Sequence, residues 1–173
     1  MAPTKRSELQ TAIVPLADGG TARFADLEAQ LPILLAHLRA AEPCGPGTGR
    51  TIPQAAGVYL FSELGQPIYV GQTRTLRRRR SQHTRVSSRH NEATLAFIFA
   101  KAAAERPDIN RHRTRKDLGD DASFALLFSE ARERVAAMEF RYVEVRDPEL
   151  RTVFEVYATL ALGTSRYNSF ETH

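Results

Sequence analysis

The sequence predicts an α+β fold, a small domain with a short, mostly antiparallel β-sheet flanked by helices and preceded by a strand-helix extension. Three observations predict it. Residues 57–71 contain two β-rich runs separated by a turn signal, Leu64-Gly65-Gln66-Pro67. Met138 to Val145 alternates as a further strand, with Phe140, Tyr142 and Val143 among its apolar members. The stretches around these runs read as helices, so strands and helices are mixed without a regular βαβ alternation. At 173 residues and 42% hydrophobic, the chain has the size of one domain and enough apolar surface for a core.

Taken in order, residues 11–16 (TAIVPL) read as a short strand. Arg23 to Ala41 reads as an amphipathic helix with Phe24, Leu27, Leu31, Leu34, Leu35 and Leu38 at helical spacing, interrupted by Pro32. The Pro/Gly-rich stretch 43–49 marks the boundary between an extension, 1–52, and a domain, 53–173. A hairpin follows, Gly57 to Ser62 and Ile68 to Gly71. Thr73 or Thr75 is placed to cap a basic helix at roughly 75–86, and Asn91 to cap the apolar helix Glu92 to Glu105, which Pro107 ends. Asp108 to Gly119 is polar and basic and reads as a loop. Residues 122–136 read as helix, and Pro148 opens a last helix to about Leu162, closed by Gly163. From Gly57 the order is β-β-α-α-α-β-α.

Net charge is only +4, but its distribution is uneven. Between Leu64 and Asn91 there is no acid, while Arg74, Arg77, Arg78, Arg79, Arg80, Arg85 and Arg89 all lie there. Such segregation makes a local positive field suited to a polyanion. The single Cys44 excludes an internal disulfide framework and a cysteine-based zinc site, which fits a cytoplasmic setting. His37, His90 and His112 lack ligand spacing. No apolar run reaches the ~20 residues of a membrane span, so no membrane partner is expected.

Candidate chemistry gathers around the hairpin. Tyr59 and Tyr69 offer hydroxyls that can orient or deprotonate water if a neighbouring charge lowers a phenol pKa of about 10. Arg79 offers a fork for phosphate, and His83, four residues on, leaves the same helix face. Four consecutive arginines spread around the helix, so only some of Arg77–Arg80 can meet one ligand; Arg79 is expected to turn inward. Glu155 interrupts an otherwise apolar helix, where a carboxylate is costly without a metal or a basic partner. Read singly, each tyrosine is more often a half-buried strand residue packing a small core, and Asn168 is by default a C-terminal turn residue.

Together, Gly57-Val58-Tyr59, Tyr69-Val70-Gly71, Thr73, Leu76, Arg79 and His83 closely resemble the signature of the GIY-YIG nuclease family. The resemblance spans residues 53–170. It implies that Arg79, eight residues after Gly71, contacts the phosphate and that His83 occupies the Tyr/His position one helical turn later. It further implies that Glu155 binds the metal and that Asn168 orients tyrosine or water. Gln72 departs from the lysine many members carry there, with Arg74 or Arg77 as substitutes. The function implied is a divalent-metal-dependent endonuclease, using Mg²⁺ or Mn²⁺, that hydrolyses phosphodiester bonds in DNA. Arg74, Arg77, Arg78, Arg80 and Arg85 are expected on the DNA-facing surface. Residues 1–52 and the basic run Arg106, Arg111, Arg113, Arg115 and Lys116 suit a restriction-type enzyme, for which a homodimer is one assembly open to the chain. The alternatives are a repair or mobile-element nuclease, a single-strand-specific nuclease, a non-catalytic nucleic-acid-binding module of the same fold, and a domain whose arginines meet an acidic protein.

Overall fold

The computed structural model describes residues 18–44, 48, 50–104 and 114–168. Among them are six helices and a three-stranded antiparallel sheet: α1 (Asp18–Ala40), β1 (Gly57–Glu63), β2 (Gln66–Thr73), α2 (Leu76–Thr84), α3 (Thr94–Ala103), α4 (Arg115–Gly119), α5 (Ala122–Ala137), β3 (Glu139–Glu144) and α6 (Pro148–Ala161). The expected strand at 11–16 lies outside the described residues. None of the described helices is long and apolar enough to cross a membrane.

The hairpin turns on two residues. Leu64 and Gly65 both have positive φ, 51° and 78°, the handedness that matches the right-handed twist of paired strands. The connection is therefore shorter than the turn read from the sequence, and β2 begins at Gln66. β1 sits in the middle, in the order β2-β1-β3.

Because successive strand residues point to opposite faces, the sheet has two chemically distinct sides. Val58, Leu60 and Val70 form an aliphatic face buried against Leu27, Leu31, Leu35 and Leu38 of α1 and against Phe154 and Ala158 of α6. Each such leucine contributes about 1.5–3 kcal/mol when fully buried. Tyr59, Phe61, Tyr69 and Phe140 form an aromatic face packed under Leu76, Leu95, Phe99, Phe124 and Val135 from α2, α3 and α5. The part of the extension in α1 thus supplies one layer of the core. Phe24 lies one turn beyond the last buried leucine and stays half exposed. Arg23 fastens α1 to α6, pairing with Asp147 and Glu149 at the start of that helix. Asp147 is itself the N-cap, accepting from the Glu149 and Leu150 amides at 2.9 and 3.0 Å.

Both sheet edges are covered, which removes the hazard of an open strand. Cys44 pairs with Phe140 on the outer side of β3, its amide donating to the Phe140 carbonyl at 2.7 Å. Side chains from α6 and from the C-terminal turn cover β2.

Two sequence expectations are corrected. Asn91 does not cap α3: the N-cap is Ala93 without a side-chain bond, and Glu92 instead accepts from the Arg89 amide at 3.2 Å. The segment read as a loop to Gly119 contains α4, closed by a capping box between Thr114 and Asp117.

Candidate active site

The strand register builds the centre of the site. Tyr59 pairs with Gly71 and Phe61 with Tyr69, so both tyrosines lie on the aromatic face, with ring centroids 6.3 Å apart. The Tyr59 ring crosses directly over Gly71. A Cβ at position 71 would overlap the Tyr59 hydroxyl and lie 3.0 Å from its Cε1. Gly57 is confined likewise: a Cβ there would overlap the Val143 carbonyl oxygen and lie 3.0 Å from Leu76 Cδ1. The glycines that bound the two tyrosine triplets make room for close approach.

The Tyr59 hydroxyl, fully buried, is a junction. Arg79 donates to it through Nε at 3.2 Å, and His83 Nε2 lies 3.1 Å away. Both come from one face of α2, four residues apart. With Arg79 as donor, the hydroxyl proton is directed to Nε2. In that tautomer the His83 proton sits on Nδ1, which is buried without a hydrogen-bond partner among the described residues. Arg79 is fixed by two further bonds, Nη1 to the Glu92 carbonyl at 3.1 Å and Nη2 to Thr94 Oγ1 at 3.4 Å. Among the described residues no carboxylate pairs with it.

Burial governs the protonation states. It pushes the Tyr59 phenol far above its ordinary value, with Tyr69 adding to the shift and the Arg79 charge opposing it. Tyr69 is raised for the same first reason, again opposed by Arg79. Burial, then the Arg79 charge, hold His83 well below the usual imidazole range, so the ring is neutral at pH 7.

Glu155 reaches this centre from the opposite layer, past the outer edge of β2. Its Oε1 accepts from the Gln72 amide at 3.0 Å. Burial raises its pKa, against the hydrogen bonding of Gln72 and the charge of Arg79. No group of three or more His, Cys, Asp or Glu is close enough to cage a metal among the described residues. The donor set nevertheless fits one hard divalent cation: a half-buried carboxylate with no ion-pair partner among the described residues is stabilised by such an ion, and Mg²⁺ commonly takes only one or two protein carboxylates. Gln72, where a lysine was the alternative, is tied into the same edge. Its amide group donates to Thr152 Oγ1 at 3.3 Å and accepts from Arg151 Nε at 3.1 Å. Compared with protein-family models, curated proteins and solved structures, the chain finds no match.

Asn168 bonds to the edge of β2. Its side-chain amide pairs with both backbone groups of Val70, accepting from the amide at 3.2 Å and donating to the carbonyl. It closes the edge of β2 as a short strand would, and its bonds are to backbone, not to a tyrosine. The arginine run divides as helical geometry requires. Arg79 and Arg80 are half-buried, and Arg77, Arg78, Arg74 and Arg85 are exposed. Arg80 turns toward the aromatic face, its guanidinium 6.0 Å from the Phe140 centroid and its pKa lowered by burial. Arg77 Nε donates to the Ile52 carbonyl at 2.8 Å.

Three contributors, Glu92, Thr94 and Arg151, escape the sequence reading, and Arg115 is read there only as part of a basic run. Glu92 and Thr94 hold Arg79 through a carbonyl and a hydroxyl, which carry no pattern signal. Arg151, buried and bonded to Gln72 and to the Val145 carbonyl, stands one turn before Glu155, a visible i, i+4 spacing. Arg115 lies behind a Thr-x-x-Asp capping signature, the signal that could have revealed the helix that positions it.

Proposed function

We propose that the protein is a divalent-metal-dependent endonuclease of GIY-YIG type that hydrolyses phosphodiester bonds in DNA. The observation that carries this reading is the Arg79 guanidinium, half-buried, without a carboxylate partner among the described residues and bonded to a buried tyrosine hydroxyl that also meets His83. A desolvated cation lacking a counter-ion favours an anion, and the acid-free basic segment 64–91 favours a polyanionic one. The choice of DNA rests on the family resemblance.

Arg79 would neutralise the charge that develops on the non-bridging oxygens of the scissile phosphate. Tyr59 would take a proton from the attacking water while its own proton passes to His83 Nε2, leaving hydroxide and a transient imidazolium. The bound phosphate would cancel part of the Arg79 field that depresses His83, so the ring gains basicity with substrate in place. Tyr69 would pack the second wall of this relay and share the Arg79 charge. Glu155 would hold Mg²⁺ or Mn²⁺; when bound, that ion supplies positive charge at the leaving 3′ oxygen.

The test incubates plasmid and single-stranded DNA with Mg²⁺ and compares wild type with Arg79→Ala and Glu155→Ala. Cleavage by wild type that either substitution cuts by 10²-fold or more supports the assignment. Equal rates in all three proteins refute it, and metal-independent DNA binding without turnover establishes a non-catalytic module. Discrete fragments from a long defined DNA would mark a restriction-type enzyme.

A further inference from the structure

A second cation stands beside Arg79. Arg115, the first residue of α4, directs Nε and Nη2 at the His90 carbonyl, with Nε at 2.9 Å, and its guanidinium lies 4.2 Å from the Phe97 centroid. Arg79 binds the Glu92 carbonyl two residues further along the same connection. Two half-buried guanidiniums are thus anchored on one short loop, and neither pairs with a carboxylate among the described residues. Their proximity has an electrostatic consequence: burial first, and the Arg79 charge second, push Arg115 below the ordinary guanidinium value, with Tyr69 opposing. Like charges held together in a partly desolvated place destabilise the free protein unless an anion joins them. Stacking on Phe97 and the His90 bonds fix the fork in advance, so an incoming anion meets an ordered group.

We infer that Arg115 is a second phosphate-binding residue of this site, holding the phosphodiester group next to the one on Arg79, so that two successive phosphates of one nucleic-acid strand span the pair. This rests on the proposed nuclease reading for the identity of the ligand, but the anion pair itself is testable separately. The role accounts for the placement of α4: its capping box sets the start of a single helical turn, and the residue at that start is Arg115.

The experiment uses Arg115→Gln in the full chain. Glutamine keeps an amide donor for the His90 carbonyl and an apolar stem for Phe97, and removes only the charge. Binding of a defined oligonucleotide duplex is measured with Ca²⁺ across a salt series, beside thermal melting. The expected result is roughly tenfold weaker binding, a slope of log K against log salt smaller by about 0.9, and a melting midpoint without DNA at or above that of wild type. Arg115→Lys, which keeps the charge, should recover most of the salt slope. Wild-type affinity and slope in Arg115→Gln would overturn the inference. If wild type binds no nucleic acid, the nuclease reading fails, and inorganic pyrophosphate becomes the probe. Pyrophosphate that raises the wild-type melting midpoint but not that of Arg115→Gln supports the paired anion site; no shift in wild type refutes it.

Discussion

The sharpest mechanical prediction concerns Gly71→Ala, the addition of one methyl group. A Cβ at this position overlaps the Tyr59 hydroxyl and meets Cε1 at 3.0 Å, whereas relaxed carbon contacts lie at about 3.5–4.0 Å. Cε1 must therefore retreat by roughly 0.5–1 Å, and Cζ and the hydroxyl, which the Cβ overlaps, by more. The ring has little room. Phe140 stacks on Tyr59 at 5.4 Å between centroids, and Phe61 and His83 meet it edge-on at 5.8 Å each. Overpacking of this kind costs about 1–3 kcal/mol. For a chain of this size that lowers the melting midpoint by roughly 2–12 °C. The chemical cost is separate. Bonds of 3.1 and 3.2 Å from the hydroxyl to His83 and Arg79 do not survive such a displacement, and a misplacement near 1 Å reduces a positioned reaction by about 10²-fold.

The assay pairs thermal or urea unfolding with the rate of DNA cleavage in Mg²⁺, and uses Gly65→Ala as the control. Gly65 has φ of 78°, and a Cβ there would find nothing within 4 Å, so that substitution strains the hairpin turn by about 1–2 kcal/mol without touching Tyr59. Comparable destabilisation in both variants, with activity lost only in Gly71→Ala, is expected. In a Tyr59→Phe background, Gly71→Ala should cost less, because part of the overlap has gone. Wild-type stability and activity in Gly71→Ala would falsify the reasoning.

Other predictions follow from the edge of β2 and from burial. Asn168→Ala leaves two backbone groups of Val70 unpaired and should destabilise by about 1–3 kcal/mol, with faster hydrogen exchange at the Val70 amide; unchanged exchange there would show that the amide clamp is not formed in solution. Glu155 has a raised carboxyl pKa in the fold, so its contribution is fully present below the unfolded value and is lost as pH rises through the folded one. Metal-free wild type should therefore lose stability just above the ordinary carboxylate range, and Glu155→Gln should flatten that loss; parallel pH profiles would contradict it. Mg²⁺ or Ca²⁺ should stabilise wild type by about 2.7 kcal/mol at a hundred times its dissociation constant and leave Glu155→Ala unmoved; equal stabilisation of the two proteins would assign the ion elsewhere.

The legible parts of this molecule are those where a local pattern and a tertiary requirement coincide. The hairpin is readable because Leu64-Gly65 interrupts two alternating runs, and α6 because Pro148 opens an apolar pattern behind a capping aspartate. Arg79 and His83 can be paired because four residues is one helical turn. Their bonds to one tyrosine cannot be read, since these depend on how α2 lies over the sheet. The Thr114–Asp117 box is visible, but the polar, basic composition around it argues for a loop. Asn168 stands out only by its resemblance to a nuclease signature, and its observed bonds to Val70 depend on which edge of the sheet the C-terminal turn crosses.

That edge is where structure and chemistry are hardest to separate. Val70 and Gln72 turn their amides away from β1, so the outer side of β2 needs partners, and it finds them in Asn168 and Glu155. The carboxylate proposed to hold the metal therefore also completes the strand that carries Tyr69 and Gly71. Glu155→Ala removes both contributions together, and lost activity alone would not divide them. Glu155→Gln does divide them. The side-chain oxygen can still accept from the Gln72 amide, so the strand edge stays closed and folding stability at neutral pH is kept or gained. The negative charge is gone, so metal-linked stabilisation and cleavage should both disappear. A Gln variant that folds as well as wild type and still cleaves would place the catalytic carboxylate elsewhere, leaving Glu155 only its bond to the Gln72 amide.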